Sequence, residues 1–255
     1  MKPMRTMTIV AAICACLGVF LGQATAADTS TWDKIQKAGK ITVGNSPDYP
    51  PFETLDDNGK RVGFDIDLLN AMCAQLGIEA EFVTMDFGAI VTATQSGQVN
   101  IGMSGFSITE ERRKMVNFSN PYYISGQAVV TTPKTGIKSV DDLKGKRVAV
   151  GLGTTGQEEA EKIEGITIQY PEDYTVAFVM LKNGGSDAVI CDLPVAEAYL
   201  KQGGFELVGK PLSYEEFAII ANKKDDAVVK NLNDALAKVK ADGTYDALIK
   251  KWELK

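Results

Sequence analysis

The chain has 255 residues, with 27 lysines and arginines against 33 aspartates and glutamates, and no histidine. The acidic balance, with no basic stripe to neutralise phosphates, argues against a nucleic-acid partner. The missing histidine removes the usual zinc ligand, the usual general base near neutral pH and every Ser-His or Cys-His nucleophile pair, so most hydrolase readings fall, while carboxylate or lysine chemistry remains possible.

In chain order, Lys2 and Arg5 precede an apolar run from Ile9 to Leu21, and Ala24-Thr25-Ala26 supplies the small residues of a signal-peptidase site. Residues 1–26 therefore read as an export signal, too short and wrongly flanked for a membrane span. A competing reading acylates Cys16 as a lipoprotein anchor, which Cys14 two positions earlier fits poorly. Cleavage after Ala26 removes two of the 27 cations and no acid, leaving 25 against 33, a charge of −8. The remaining 229 residues suffice for two modest cores.

The segments ITVGN, IDLLNAMCAQLG, AEFVTM, AIVTATQSG and NIGMSG alternate strand-like and helical patterns from residue 41 to 105. A second such series runs through KRVAVG, QEEAEKI, ITIQY, VAFVMLKNG and DAVICD, from 146 to 192. Each is the βαβ alternation of an α/β domain with a largely parallel sheet. A finer echo aligns Gly97 with Gly184, which puts Asn100 on Asp187 and brings Ser104, Gly105 and Asp192 to comparable strand ends, where open α/β sheets bind ligands.

GQAVVTTP (126–133) and YEEFAIIANK (214–223) are extended, apolar and placed where the chain should cross between two lobes. The final segment carries Val228, Leu232, Leu236 and Val239 at helical spacing, with a second helix after Asp242-Gly243. Cys73 and Cys191, the two cysteines outside the signal, fall in different lobes and read as small buried hydrophobes without a disulfide.

Ser107 and Glu110 have the S-x-x-E spacing of a capping box, which predicts a short helix projecting Arg112. Its guanidinium fork matches a carboxylate in bidentate fashion, whereas Arg113 and Lys114 read as solvated helix charges. Gly151 to Gly156 satisfies G-x-G-x-x-G between a strand and a helix, with Glu172 at a distance suited to a ribose, so a nucleotide reading exists beside that of a simple anion-binding turn. Asp192, before Leu193-Pro194, reads as a helix N-cap or an ammonium ligand. Phe87 reads as core and Tyr49 as a loop aromatic on composition alone.

The ordered set SITEER, FSNPYY, YPPF (49–52), GFDIDLL (63–69), DLKGKRVAVGLGTT (142–155) and ADGTYDALIKKW (241–252) resembles the solute-binding proteins of polar amino-acid ABC importers, bacterial solute-binding protein family 3. The resemblance implies a periplasmic-binding-protein type II fold, two α/β lobes joined by a two-strand hinge, with 27–129 and 221–255 in the first lobe and 130–220 in the second. It implies a periplasmic monomer that takes a free L-amino acid to a permease and its ATPase, with no cofactor, metal or catalytic residue. The implied ligand-binding residues are Tyr49, Phe87, Ser104, Gly105, Ser107, Arg112, Thr154, Thr155 and Asp192: Arg112 and the Thr154 to Thr155 turn for the carboxylate, Asp192 for the ammonium, Tyr49 and Phe87 for the side chain. Ser46 stands where cation-binding relatives carry an acid, and Gly151 and Cys191 where glutamine-binding relatives carry Lys and His, so a neutral polar ligand is expected, with cystine a candidate. The alternative is an exported cyclohexadienyl or arogenate dehydratase on the same fold, a reaction that needs a general acid.

Overall fold

The structure is a computed structural model that describes residues 30–255; the export signal and Cys16 lie outside the described residues. Two five-stranded sheets with the same topology form the two lobes. In the first, the order is Glu79–Thr84, Lys40–Asn45, Ile101–Gly102, Ile220–Asn222, Val116–Phe118, with the first three parallel and Ile220–Asn222 antiparallel to both neighbours. In the second, the order is Thr167–Gln169, Arg147–Ala149, Ala188–Asp192, Gln127–Thr131, Glu206–Val208, again with three parallel strands beside one reversed strand. The central strands are continuous apolar runs because helices cover both faces of each sheet: Ile41, Val43, Val148 and all of Ala188–Cys191 are fully buried.

The internal echo is structural. Gly97 and Gly184 are both left-handed helix C-caps at φ 76°, a conformation glycine adopts without a Cβ penalty. Asn100 Oδ1 then accepts from Thr42 N (2.9 Å) and Asp187 Oδ2 from Arg147 N (2.8 Å). The same side-chain acceptor thus ties the third strand to the first in both lobes.

A two-stranded antiparallel ribbon, Tyr123–Ser125 against Glu215–Phe217, joins the sheets. The lobe boundary read at residues 129/130 falls inside Gln127–Thr131, which pairs with Ala188–Asp192 and Glu206–Val208 in the second sheet. Likewise Ala218 to Ile220 lie on the first-sheet side of the ribbon, where Ile220 pairs with Gly102 and Phe118. An extended apolar run reads the same as hinge or as strand, so the sequence shifts both boundaries by a few residues.

The chain returns to the first lobe through helix Asp226–Ala241, whose Val228, Leu232, Leu236 and Val239 are buried as their spacing predicts. They pack with Leu68, Leu69, Met72 and Cys73 of helix Phe64–Leu76 in one core. Cys73 and Cys191 are both buried and free.

Candidate functional site

The capping box does not form. Thr109, not Ser107, caps the helix Glu110–Met115, its hydroxyl accepting from Arg112 N at 3.1 Å. Ser107 sits two residues earlier in an isolated bridge to Phe217, and its hydroxyl donates to Glu215. Thr109 is itself a favoured N-cap residue, and the strand bridge at Ser107 decides between them.

Arg112 nevertheless projects into the cleft, 6 % exposed. Its guanidinium lies 5.4 Å from the centroids of both Phe87 and Phe106, which stack on each other at 4.5 Å. Two of its five N–H donors go to the carbonyls of Ser107 (2.9 Å) and Gly153 (3.0 Å). The remaining three are what a carboxylate can take. Burial lowers the pKa of Arg112 from its ordinary value, and the carboxylates of Glu158, Glu215 and Asp192 oppose that. Phe87, half-buried at the start of helix Phe87–Ser96, lines the cleft and shields the arginine.

Asp192 ends strand Ala188–Asp192 and precedes helix Leu193–Leu200, but its side chain makes no cap bond. It faces the cleft instead, accepting from Tyr49 Oη (2.6 Å) and Ser125 Oγ (2.7 Å). Burial, and then the charge of Glu215, push its pKa up to about 6. Tyr49 stays a phenol donor because burial and Asp192 drive its own pKa well up.

Ser104 donates to Glu53 Oε1 (2.8 Å) and accepts from Ser46 N (3.1 Å), so its hydroxyl is already committed within the first lobe. Gly105 holds φ 60° between Tyr49 and Phe217, a backbone conformation that costs other residues, and its N–H donates to Asp65 (3.1 Å). Thr154 is likewise occupied: it caps helix Thr155–Glu161, accepting from Gln157 N and donating to Gly151 O at 2.7 Å. Its hydroxyl is a structural cap, and the first-turn N–H groups behind it are what remains for an anion.

The G-x-G-x-x-G turn is not arranged as an open phosphate cradle. Gly151 N donates to Tyr174 Oη (3.2 Å), Gly153 N to Gln157 (2.8 Å), and Gly153 O accepts from Arg112 across the cleft.

The sequence did not single out Glu215. This buried carboxylate on the hinge ribbon accepts from Ser107 of the first lobe, Thr155 of the second (2.7 Å) and Ser213 (2.6 Å). Its only signal was a pair of glutamates, Glu215 and Glu216, at the head of an apolar extended run. Glu215→Ala should lower stability by about 2 kcal/mol, the scale of losing hydrogen bonds to a buried charge. Urea unfolding would read this, and an unchanged midpoint would show that the three hydroxyls do not depend on it.

The lobes meet over a cavity of about 810 Å³. Tyr49 to Asp192, Arg112 to Gly153 and Tyr174 N to Asp48 Oδ2 (3.2 Å) all cross it, and the Tyr49 and Tyr174 rings lie 4.8 Å apart. Among the described residues its lining carries one cation, Arg112, and the acids Asp48, Glu53, Asp86, Glu172, Asp173 and Asp192.

A pair of like-folded lobes on a two-strand hinge, closed over an interlobe cavity with opposite charges, defines a periplasmic-binding-protein type II fold. The chain belongs to family 3 of the bacterial extracellular solute-binding proteins, whose profile matches residues 41–255. It is 39% identical over 223 residues to "ABC transporter arginine-binding protein 1" of Escherichia coli K12 (84% of this chain, 91% of that protein). It is 33% identical over 231 residues to "L-cystine-binding protein TcyJ" of the same strain (89% and 87%). Among solved structures, the ancestral amino acid-binding protein AncCDT-1, a precursor of cyclohexadienyl dehydratase, superposes with a TM-score of 0.83 at 39% identity (88% and 99%).

Proposed function

We propose that the protein captures one free L-amino acid between its closing lobes in the periplasm and, as a monomer, delivers it to an ABC importer rather than transforming it. The observation that carries this is that Arg112 and Asp192 both line the interlobe cavity: a guanidinium with three donors to spare, opposite a carboxylate with lone pairs to spare, complements the two ends of a zwitterion. Ligand groups that touch both lobes favour the closed form, which is the state a permease would read. The arginine-binding and L-cystine-binding names of the E. coli relatives support an amino acid as ligand.

For the side chain, Ser46 supports the neutral polar reading. A second reading, a cationic side chain such as that of arginine, is favoured by the carboxyls of Asp48, Asp86, Glu172 and Asp173 around the cavity, which attract positive charge and hydrogen-bond donors. A thermal-shift screen of the refolded protein against the twenty amino acids, cystine and prephenate separates these readings. Ligand at a thousand times its Kd adds about 4 kcal/mol. A shift with glutamine or cystine alone favours the first reading and one with arginine or lysine alone the second; turnover of prephenate would make the protein an enzyme instead.

Affinity should also depend on pH through Asp192. The ammonium pairs with the carboxylate, and Asp192 in the ligand-free protein takes up a proton below about 6. Calorimetric Kd should be flat from pH 7 to 8 and weaken by up to about tenfold per unit below pH 6. A Kd constant down to pH 4.5 would remove Asp192 from the ammonium site.

A further inference from the structure

Beneath the cleft, on the first-lobe side, lies a group of buried polar side chains for which zwitterion binding gives no account. Glu53 and Asp65 are both fully buried and hold adjacent residues of one turn, Ser104 and Gly105. Glu53 Oε1 accepts from Ser104 Oγ at 2.8 Å, and Asp65 Oδ2 accepts from Gly105 N at 3.1 Å and Tyr122 Oη at 2.7 Å. The other oxygen of each, Glu53 Oε2 and Asp65 Oδ1, has no partner. A buried carboxylate oxygen left unpaired is costly in desolvation and like-charge repulsion, and a single proton held between the two carboxyls would turn that cost into one short charge-assisted hydrogen bond.

We infer that Glu53 is a neutral carboxylic acid in the folded protein, donating its O–H to Asp65, and that this one-proton pair positions the Ser104–Gly105 turn on the floor of the ligand cleft. Each half of the pair holds one residue of that turn, Glu53 through the Ser104 hydroxyl and Asp65 through the Gly105 N–H. Ser104 in turn accepts from Ser46 N, which carries the support across to the segment preceding Tyr49. Glu53 and Asp65 are positioning residues, and the part of the inference that concerns ligand affinity rests on the amino-acid reading above.

The surrounding charges agree. Burial raises both carboxyls, Glu53 furthest because the charge of Asp65 adds to it and that of Asp48 acts in the same direction. Arg61 of the neighbouring strand Arg61–Val62 feels the charge of Glu53, and the Ser104 and Tyr122 hydroxyls donate to the pair. A carboxyl whose folded pKa is raised gives stability that is full below its unfolded value near 4.5 and is lost as pH rises through the folded one. The loss therefore falls on the alkaline side.

Three measurements on the mature chain test this. The ligand-free wild type at pH 7 should show the infrared carbonyl band of a protonated carboxyl, absent in Glu53→Gln. The thermal midpoint of the wild type should fall with rising pH across the folded pKa by about 2–4 °C per unit more than that of Glu53→Gln, whose amide donates to Asp65 at every pH; Asp65→Asn should flatten the slope in the same way should Glu53→Gln fail to fold. Where L-arginine or L-glutamine binds, its Kd should weaken at high pH in both proteins as the ligand's ammonium is lost, and by more in the wild type than in Glu53→Gln. No infrared band, equal pH slopes in wild type and variants, or a midpoint set by sodium rather than pH would overturn the shared proton. Failure of both amino acids to bind would remove the function proposed above while the first two measurements still decide the pair.

Discussion

Replacing Arg112 with alanine should abolish amino-acid binding, at a cost of about 3–5 kcal/mol or several hundred-fold or more in Kd. The guanidinium reaches the cleft as a buried charge held by the rings of Phe87 and Phe106 and by two carbonyls. The variant loses the ligand's carboxylate partner and leaves the Ser107 carbonyl and, across the lobes, the Gly153 carbonyl without their donor. Arg112→Lys should recover little, because an ammonium cannot reach both carbonyls and a carboxylate in one planar fork. Isothermal titration of the three proteins checks this; an alanine variant binding within tenfold of the wild type would place the carboxylate elsewhere.

Asp192→Asn should separate function from stability. Binding should weaken by about 2–5 kcal/mol, since the ammonium loses a buried charge partner. The ligand-free variant, however, should be at least as stable as the wild type at pH 7.5. Asp192 has its pKa raised by burial and by Glu215, so it contributes stability that is full below the unfolded value and already lost above about pH 6; asparagine escapes that loss while still accepting from Tyr49 or Ser125. A site kept at the expense of fold stability is the usual pattern at functional positions. Thermal unfolding with and without ligand tests both halves, and a variant that melts lower in the absence of ligand would show Asp192 to be a structural residue instead.

Much of this was legible in the residues. The alternation of strand and helix patterns, repeated from Lys146, gave two lobes of one topology because parallel strands must be apolar throughout and helices must follow them. The Gly97 and Gly184 echo located equivalent strand ends, and those ends deliver Ser104, Gly105 and Asp192 to the cleft. Arg112 was separable from Arg113 and Lys114 by its place within SITEER. The limits have equally local causes. S-x-x-E and T-E describe overlapping caps, and only the long-range bridge of Ser107 to Phe217 chooses Thr109. Glu215 lies more than a hundred residues from Ser107 and sixty from Thr155, so no spacing rule connects them. Glu53 and Asp65, inside YPPFE and GFD, carry no local mark of burial, because exposure is the default for carboxylates; their burial depends on how strands Asp48–Tyr49 and Glu53–Leu55 pair and fold onto helix Phe64–Leu76.

The most direct test of a zwitterion held by both lobes uses ligands that lack one end. Once the screen has named an amino acid, the refolded protein is titrated with it, with its α-carboxamide and with its Nα-acetyl derivative. Arg112 and Asp192 acting together predict tight binding of the parent and a loss of at least about a hundredfold for each derivative, some 3 kcal/mol. Equal binding of either derivative would contradict the paired-charge site.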